Sequence, residues 1–254
     1  MTTPTPSISF ENLTLGYDRH PAVHHITGDV AQGALLAVVG SNGAGKSTLL
    51  KAMVGELKPL SGRIDLHGHL KHDIAYLPQV VEIDRSFPIS VFDCVAMGLW
   101  REIGASGGLD RAESQRVNEA LEAVHLSGLA GRPVGALSGG QFQRVLFARL
   151  LLQDAKVILL DEPFRAVDAR TLSDLIGLIE RWHAEGRTVI AVLHDIELVR
   201  RHFPQTMLLA REVLAWGPTV DVLTPVNLDL SRRFNESYDA HAAVCEHDEA
   251  RETA

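Results

Sequence analysis

Two short stretches carry residue types that could do phosphate chemistry. The first, Gly40-Ser41-Asn42-Gly43-Ala44-Gly45-Lys46-Ser47, follows the pattern GxxxxGK[ST]. Glycines at these places let backbone N–H groups turn inward without a Cβ in the way, so that the loop can cradle phosphate oxygens. A helix opening at Lys46 adds roughly half a positive charge at its N-terminus. Lys46 is then placed to reach the β- and γ-phosphates, and Ser47 to set its hydroxyl on Mg²⁺. The second stretch, Val157-Ile158-Leu159-Leu160-Asp161-Glu162-Pro163, is an apolar run that ends in two acids. An aspartate at such a strand end, Asp161, would steady the Mg²⁺ shell. Glu162 would be the general base that polarises a water for attack on the γ-phosphate. Strand-end acids are also ordinary helix caps. The phosphate loop upstream favours the catalytic reading.

These residues need strands to present them, and the chain supplies strands and helices in alternation. Ile8–Leu15 and Ala22–Val30 read as extended. Leu35–Val39 is a short, wholly apolar run of the kind buried on both faces of a sheet. A helix is expected from about Lys46 to Gly55, broken at Pro59-Leu60-Ser61-Gly62. Arg63–His67 and Ile74–Leu77 read as strands. From about Val80 to Leu137 the texture becomes helical, with Val91–Leu99 and Glu113–Val124 spaced for helices around a glycine-rich loop at Gly104, Gly107 and Gly108. Alternation then resumes: helix Gly140–Leu152, strand Val157–Leu160, helix Arg170–Glu185, strand Thr188–Leu193, helix Ile196–His202, and short strands near Thr206–Leu209 and Val213–Trp216. That order predicts an α/β fold with a parallel sheet covered by helices.

Composition narrows the setting. The chain has 254 residues, 46% of them apolar and 22% charged, which suits one large soluble domain or a domain with an insertion. No apolar run is long enough to span a bilayer. Met1–Ser9 lacks the features of a secretory signal, so no leader is expected. Two cysteines, Cys94 and Cys245, lie far apart and form no CxxC, which fits a reducing compartment. A net charge of −8 argues against a sequence-independent grip on nucleic acid, so none is expected as a partner.

A third stretch joins the first two. Leu137-Ser138-Gly139-Gly140-Gln141, followed by Gln143-Arg144, lies between the phosphate loop and the acidic pair. With them it resembles the ATP-binding cassette family, over roughly Ile8 to Leu230. The resemblance implies a P-loop NTPase cassette: a RecA-like parallel-sheet core with an antiparallel β subdomain and a helical subdomain. The cassette would fill residues 1–234, with the helical part inserted at about 80–145, and 235–254 would form an acidic, flexible tail. It implies ATP and Mg²⁺ as cofactors. ATP would be held by Tyr17, stacked on adenine, and by Gly40 to Ser47 with Thr48. Lys46, Glu162, His194 on the γ-phosphate, and Gln79, linking the site to a membrane partner, would act in catalysis. Ser47, Gln79 and Asp161 would hold Mg²⁺. A serine and two glycines at a helix start make a second anion-binding N-terminus, too far from the first loop to share its nucleotide within one chain. The family's arrangement is a head-to-tail dimer, in which Ser138, Gly139, Gly140, Gln141 and Asp168 close over ATP bound by a second copy. The chain departs from the family at Arg165, where a small residue often stands; an arginine there bears on the dimer contact or on coupling between the two sites.

One cassette without a transmembrane segment resembles the ATPase subunits of bacterial importers. Phe87–Gly98, His194–Val199, Gly217-Pro218 and Thr224–Leu228 resemble the zinc and manganese branch. The resemblance therefore implies zinc import, or manganese in its place. The partners would be an integral-membrane permease and a periplasmic or extracellular metal-binding protein, and the cassette would sit at the cytoplasmic face of the inner membrane. Siderophore or cobalamin uptake, a soluble non-transport ATPase, and a metal-sensing ATP-binding regulator remain alternatives. Two histidine sets, His67/His69/His72 and His241/Cys245/His247, have spacings that could hold Zn²⁺. On a strand His67 and His69 would share a face and His72 would not, so the plainer reading, polar surface residues, is preferred.

Overall fold

A computed structural model describes residues 5–17, 20–79, 83–104, 107–165 and 167–236; the tail set His241, Cys245 and His247 lies outside the described residues. Nine strands form two sheets among the described residues. β1 (Pro6–Tyr17), β2 (His20–Ala31) and β4 (Ser61–Asp65) make an antiparallel sheet in the order β2-β1-β4. β3 (Leu35–Val39), β5 (Ile74–Leu77), β6 (Val157–Asp161), β7 (Thr188–Val192), β8 (Gln205–Ala210) and β9 (Glu212–Pro218) make the larger sheet, in the order β5-β6-β7-β3-β8-β9. All its pairs are parallel except β8 with β9.

The apolar runs explain the larger sheet. Every residue of β3, β6 and β7 is buried, as expected for parallel strands covered on both faces. Alternate side chains enter opposite cores. Leu35, Ala37, Ile158, Leu160, Val189 and Ala191 join the core shared with α5 (Gly139–Gln153) and α6 (Ala169–Ala184). Leu36, Val38, Leu159, Ile190 and Val192 join the core shared with α1 (Lys46–Met53) and the small sheet. The carboxyl ends of the neighbouring strands β6, β7 and β3 therefore open at one edge, where ligands bind in open α/β sheets.

The helical stretch holds α2 (Val91–Ala96), α3 (Trp100–Ile103) and α4 (Arg111–Ala123) before α5. Ser90 caps α2 by accepting from Asp93 N, and Asp110 and Glu113 form a reciprocal capping box on α4. After β7 come α7 (Ile196–His202), α8 (Thr219–Val222) and α9 (Pro225–Glu236).

One expectation needs correction. The strand expected over Arg63–His67 ends at Asp65, because His67 (φ 45°) and Gly68 (φ 83°) turn the chain. His67 and His69 therefore do not share a strand face. Their Nε2 atoms meet Ser9 Oγ at 2.6 Å and Ser7 Oγ at 3.1 Å, which ties the turn to β1. Among the described residues no group of three histidine, cysteine or acidic side chains could hold a metal. Pro225 stands at the first helical position of α9, and Thr224 Oγ1 accepts from Asn227 N at 3.2 Å.

Candidate active site

The phosphate loop runs from the end of β3 into α1. Gly45 caps α1 with φ 92°, and a Cβ there would lie 2.1 Å from Val23 Cγ2. A Cβ on Gly40 would lie 2.1 Å from the Leu209 carbonyl oxygen. Glycine is thus required at both places by close approach, and at Gly45 also by conformation. The turn between β8 and β9 supports the loop from beneath. Arg211 N donates to Ala44 O at 3.2 Å, the Arg211 carbonyl accepts from His24 N at 2.7 Å, and its guanidinium donates to Pro21 O. Nothing in the spacing of Arg211 announces that role.

Lys46 lies inside the loop it follows. Its Nζ donates to Gly40 O at 3.0 Å and Ser41 O at 2.8 Å, and the residue is 6% exposed. Burial pushes the ammonium below its ordinary pKa, while the charges of Glu162 and Asp161 pull it back up. Asp161, the last residue of β6, is 1% exposed. Ser47 and Thr48 stand in the first turn of α1, and with Asn42, Gly43, Gly45, Lys46, Gln79 and Glu162 they line a cleft of about 310 Å³.

Glu162 turns the corner after β6 with φ 49°, its N–H donating to Val192 O at 3.2 Å. Three side chains converge on its carboxylate. Oε1 accepts from Gln79 Nε2 at 2.9 Å and lies 2.7 Å from His194 Nε2. Oε2 lies 3.3 Å from Arg165 Nη1. An ionised carboxylate only accepts, so in that state His194 holds a proton on Nε2. Gln79 comes from the end of β5, Glu162 from β6 and His194 from just past β7, all from adjacent strands. Asn42, Glu162, Arg165, His194 and Asp195 line a second cleft of about 410 Å³, which shares Asn42 and Glu162 with the first. The sequence placed Gln79, Glu162 and His194 at one site but did not pair them, and it did not foresee that Arg165 reaches Glu162.

The other expected residues are not among those lining the two clefts, although Val167, next to Asp168, lines the second. Ser138 caps α5 and forms a reciprocal box with Gln141: Ser138 N donates to Gln141 Oε1 at 3.0 Å and Gln141 N to Ser138 Oγ at 3.2 Å. A Cβ on Gly140 would lie 3.8 Å from Asp168 Oδ2, so the α5 N-terminus adjoins the α6 cap. Asp168 accepts from Thr171 N at 2.9 Å and Thr171 Oγ1 at 2.8 Å, contacts that hold its carboxyl below its ordinary pKa. Arg144 of α5 donates to the same threonine hydroxyl. None of Ser138 to Gln141, Asp168 or Tyr17 lines either cleft. Tyr17 ends β1 half-exposed, opposite His20.

Arg85 joins the stretch after Gln79 to the approach to Ser138. Its guanidinium donates to Val134 O at 3.2 Å and to Leu137 O, and stacks 4.7 Å from the centre of the Phe142 ring.

The family model described as ABC transporter matches residues 23–165, more than half of the chain and the span from β2 to the turn after Glu162. The chain belongs to the ABC transporter family. Its cassette fold is that of the family, and its activity is that of an ABC ATPase. The chain is 37% identical over 224 residues to the manganese transport system ATP-binding protein MntB of Halalkalibacterium halodurans, covering 87% of this chain and 89% of that one. It is 37% identical over 222 residues to the zinc transport system ATP-binding protein TroB of Treponema pallidum, covering 86% and 84%. A solved structure provisionally described as a metal-chelate type ABC transporter, in an inward-facing conformation, superimposes with a TM-score of 0.79 at 32% identity, covering 90% of this chain and 89% of that one. These relatives are the ATP-binding components of transport systems. Among the described residues of this chain no helix is long and apolar enough to cross a membrane.

Proposed function

We propose that this ABC ATPase energises a membrane permease that imports a transition metal, zinc or manganese. The observation that carries the mechanism is the convergence of Gln79 and His194 on Glu162 beside the phosphate loop. Lys46 exchanges its bonds to the Gly40 and Ser41 carbonyls for the β- and γ-phosphates of ATP, and the loop N–H groups take the remaining oxygens. Glu162 accepts a proton from the attacking water, held at the required angle by Gln79 and His194. The buried surroundings strengthen the electrostatic hold on the γ-phosphate as charge develops there.

The residues present suit Mg²⁺. Ser47 supplies a hydroxyl, Asp161 a buried carboxylate, and Gln79 an amide oxygen, because its nitrogen is engaged with Glu162. Oxygen donors of this kind are those that Mg²⁺ prefers. Bound there, the ion would neutralise phosphate charge.

Two copies arranged head to tail complete each other's sites, with Ser138, Gly139, Gly140, Gln141 and Asp168 of one facing ATP on the other. The adjacency of Gly140 and Asp168, and their absence from the lining of both clefts, support that reading. Phe87, Met97 and Trp100, each about half-exposed or more, are the apolar side chains this helical stretch offers to the permease. Arg85, two residues before Phe87, contacts Val134, Leu137 and Phe142 around Ser138 and so links this stretch to that cap. A periplasmic or extracellular metal-binding protein would deliver the ion, and the cassette would lie against the cytoplasmic side of the membrane.

Relatives named for manganese and for zinc are similarly distant, so the ion is settled by experiment. In a strain lacking this chain, cellular metal content and growth under chelation are measured, with Glu162→Gln as complement. Rescue of growth by zinc or by manganese, with no complementation by Glu162→Gln, is the expected result and names the ion. Indifference to both metals would overturn metal import.

A further inference from the structure

Both oxygens of the Glu162 carboxylate are engaged, and by different kinds of partner. Gln79 and His194 share Oε1, whereas Oε2 meets only the Arg165 guanidinium, at 3.3 Å, among the described contacts. Glu162 and Arg165 also close one turn of backbone, Arg165 N donating to Glu162 O at 3.2 Å. The carboxylate side chain is 13% exposed and the guanidinium side chain 67% exposed. Arg165 therefore stands on the solvent side of Oε2, in the cleft it lines with Asn42 and His194.

A general base must present an oxygen lone pair to the water it activates. Oε1 already has two partners, so Oε2 is the oxygen open to that task, and Arg165 covers it. We infer that Arg165 is a brake on Glu162: its guanidinium occupies Oε2 in the separate chain and must leave before that oxygen can accept a proton. This inference rests on the hydrolysis reading of Glu162. An arginine this exposed, with a single long contact to the carboxylate, is held weakly, so the brake is small and easily released. The guanidinium stays on Oε2 when ATP binds and leaves in the hydrolysis step, so its cost falls on kcat and not on nucleotide affinity.

The test compares phosphate release at saturating ATP by the purified wild-type chain, Arg165→Ala, Arg165→Gln and Arg165→Ala/Glu162→Gln. Removing the brake raises kcat about two- to fivefold, the size expected of an exposed ion pair, and leaves KM unchanged. The gain disappears in the double variant, because it acts through Glu162. Added salt raises wild-type kcat more than that of Arg165→Ala, since screening weakens an exposed pair. An unchanged or lower kcat in both single variants would overturn the brake while leaving hydrolysis intact. A wild-type chain with no phosphate release that Glu162→Gln abolishes would overturn the hydrolysis reading and the brake with it.

Discussion

His194 Nε2 lies 2.7 Å from Glu162 Oε1, although 32 residues separate them in sequence. The contact exists because β6 and β7 are parallel neighbours in register, Asp161 beside Val192, so that the residues just past their ends face each other. His194→Ala should therefore cost turnover through misplacement of Glu162, roughly 10²-fold in kcat, with little change in nucleotide affinity. Steady-state kinetics beside a nucleotide-binding titration checks this; equal losses in both would assign His194 to binding instead.

Lys46 makes ATP binding sensitive to alkaline pH. Its pKa lies below the ordinary 10.5 because burial disfavours the ammonium. Phosphates beside it restore the charge, so ATP binding should take up a proton in the alkaline range. Affinity should fall as pH rises through the lowered pKa. In the ATP-free chain the sign for stability is opposite. Between the lowered value and 10.5 the unfolded chain holds a proton that the folded chain has released, so the Lys46 contribution to stability rises with pH. Calorimetry in two buffers of different ionisation enthalpy measures the uptake, and Lys46→Arg should abolish it.

Gly45→Ala meets two obstacles at once, the 2.1 Å approach of Val23 Cγ2 and φ 92°. Strain and overpacking together should cost roughly 2–5 kcal/mol. Denaturant melts read the cost, and ATP binding should be lost with it.

Much of this was legible beforehand, for identifiable reasons. β3, β6 and β7 are continuous apolar runs, and a run buried on both faces leaves a strong signal. The phosphate loop and acidic pair follow such runs, so their placement came with them. What escaped was contact set by pairing and turns. The order β5-β6-β7 that brings Gln79, Glu162 and His194 together is a crossover that no local pattern encodes. His67 at φ 45° ended a strand whose composition ran on. α9 was hidden in a polar stretch, although Pro225 marks its start.

Helices α5 and α6 should behave as a unit. Phe147 of α5 stacks on Trp182 of α6, with ring centroids 5.9 Å apart and planes 4° from parallel. Phe147→Ala should cost roughly 3–5 kcal/mol of stability by denaturant melts. Asp168→Ala should lower Tm at neutral pH. The loss should shrink as pH falls from 3.8 through the lower value that the Thr171 contacts set, since the unfolded chain takes up its proton first and the folded carboxyl is protonated only below that value.

A head-to-tail dimer makes a sharper demand. Lys46→Ala and Ser138→Arg should each be inactive alone. Mixed in equal amounts they should recover about a quarter of wild-type turnover, since half of randomly paired dimers carry one intact site. No recovery would place Ser138 and Lys46 in the same chain's site.

The most direct measurement is phosphate release by the purified chain with ATP and Mg²⁺, wild type against Glu162→Gln. The amide keeps the shape of the side chain and its contact with His194 but cannot take a proton from water. The account predicts turnover in the wild type, a loss of about 10²-fold or more in the variant, and retained ATP binding. Equal turnover in the two proteins would contradict it, since the residue on which Gln79 and His194 converge would then have no part in the chemistry.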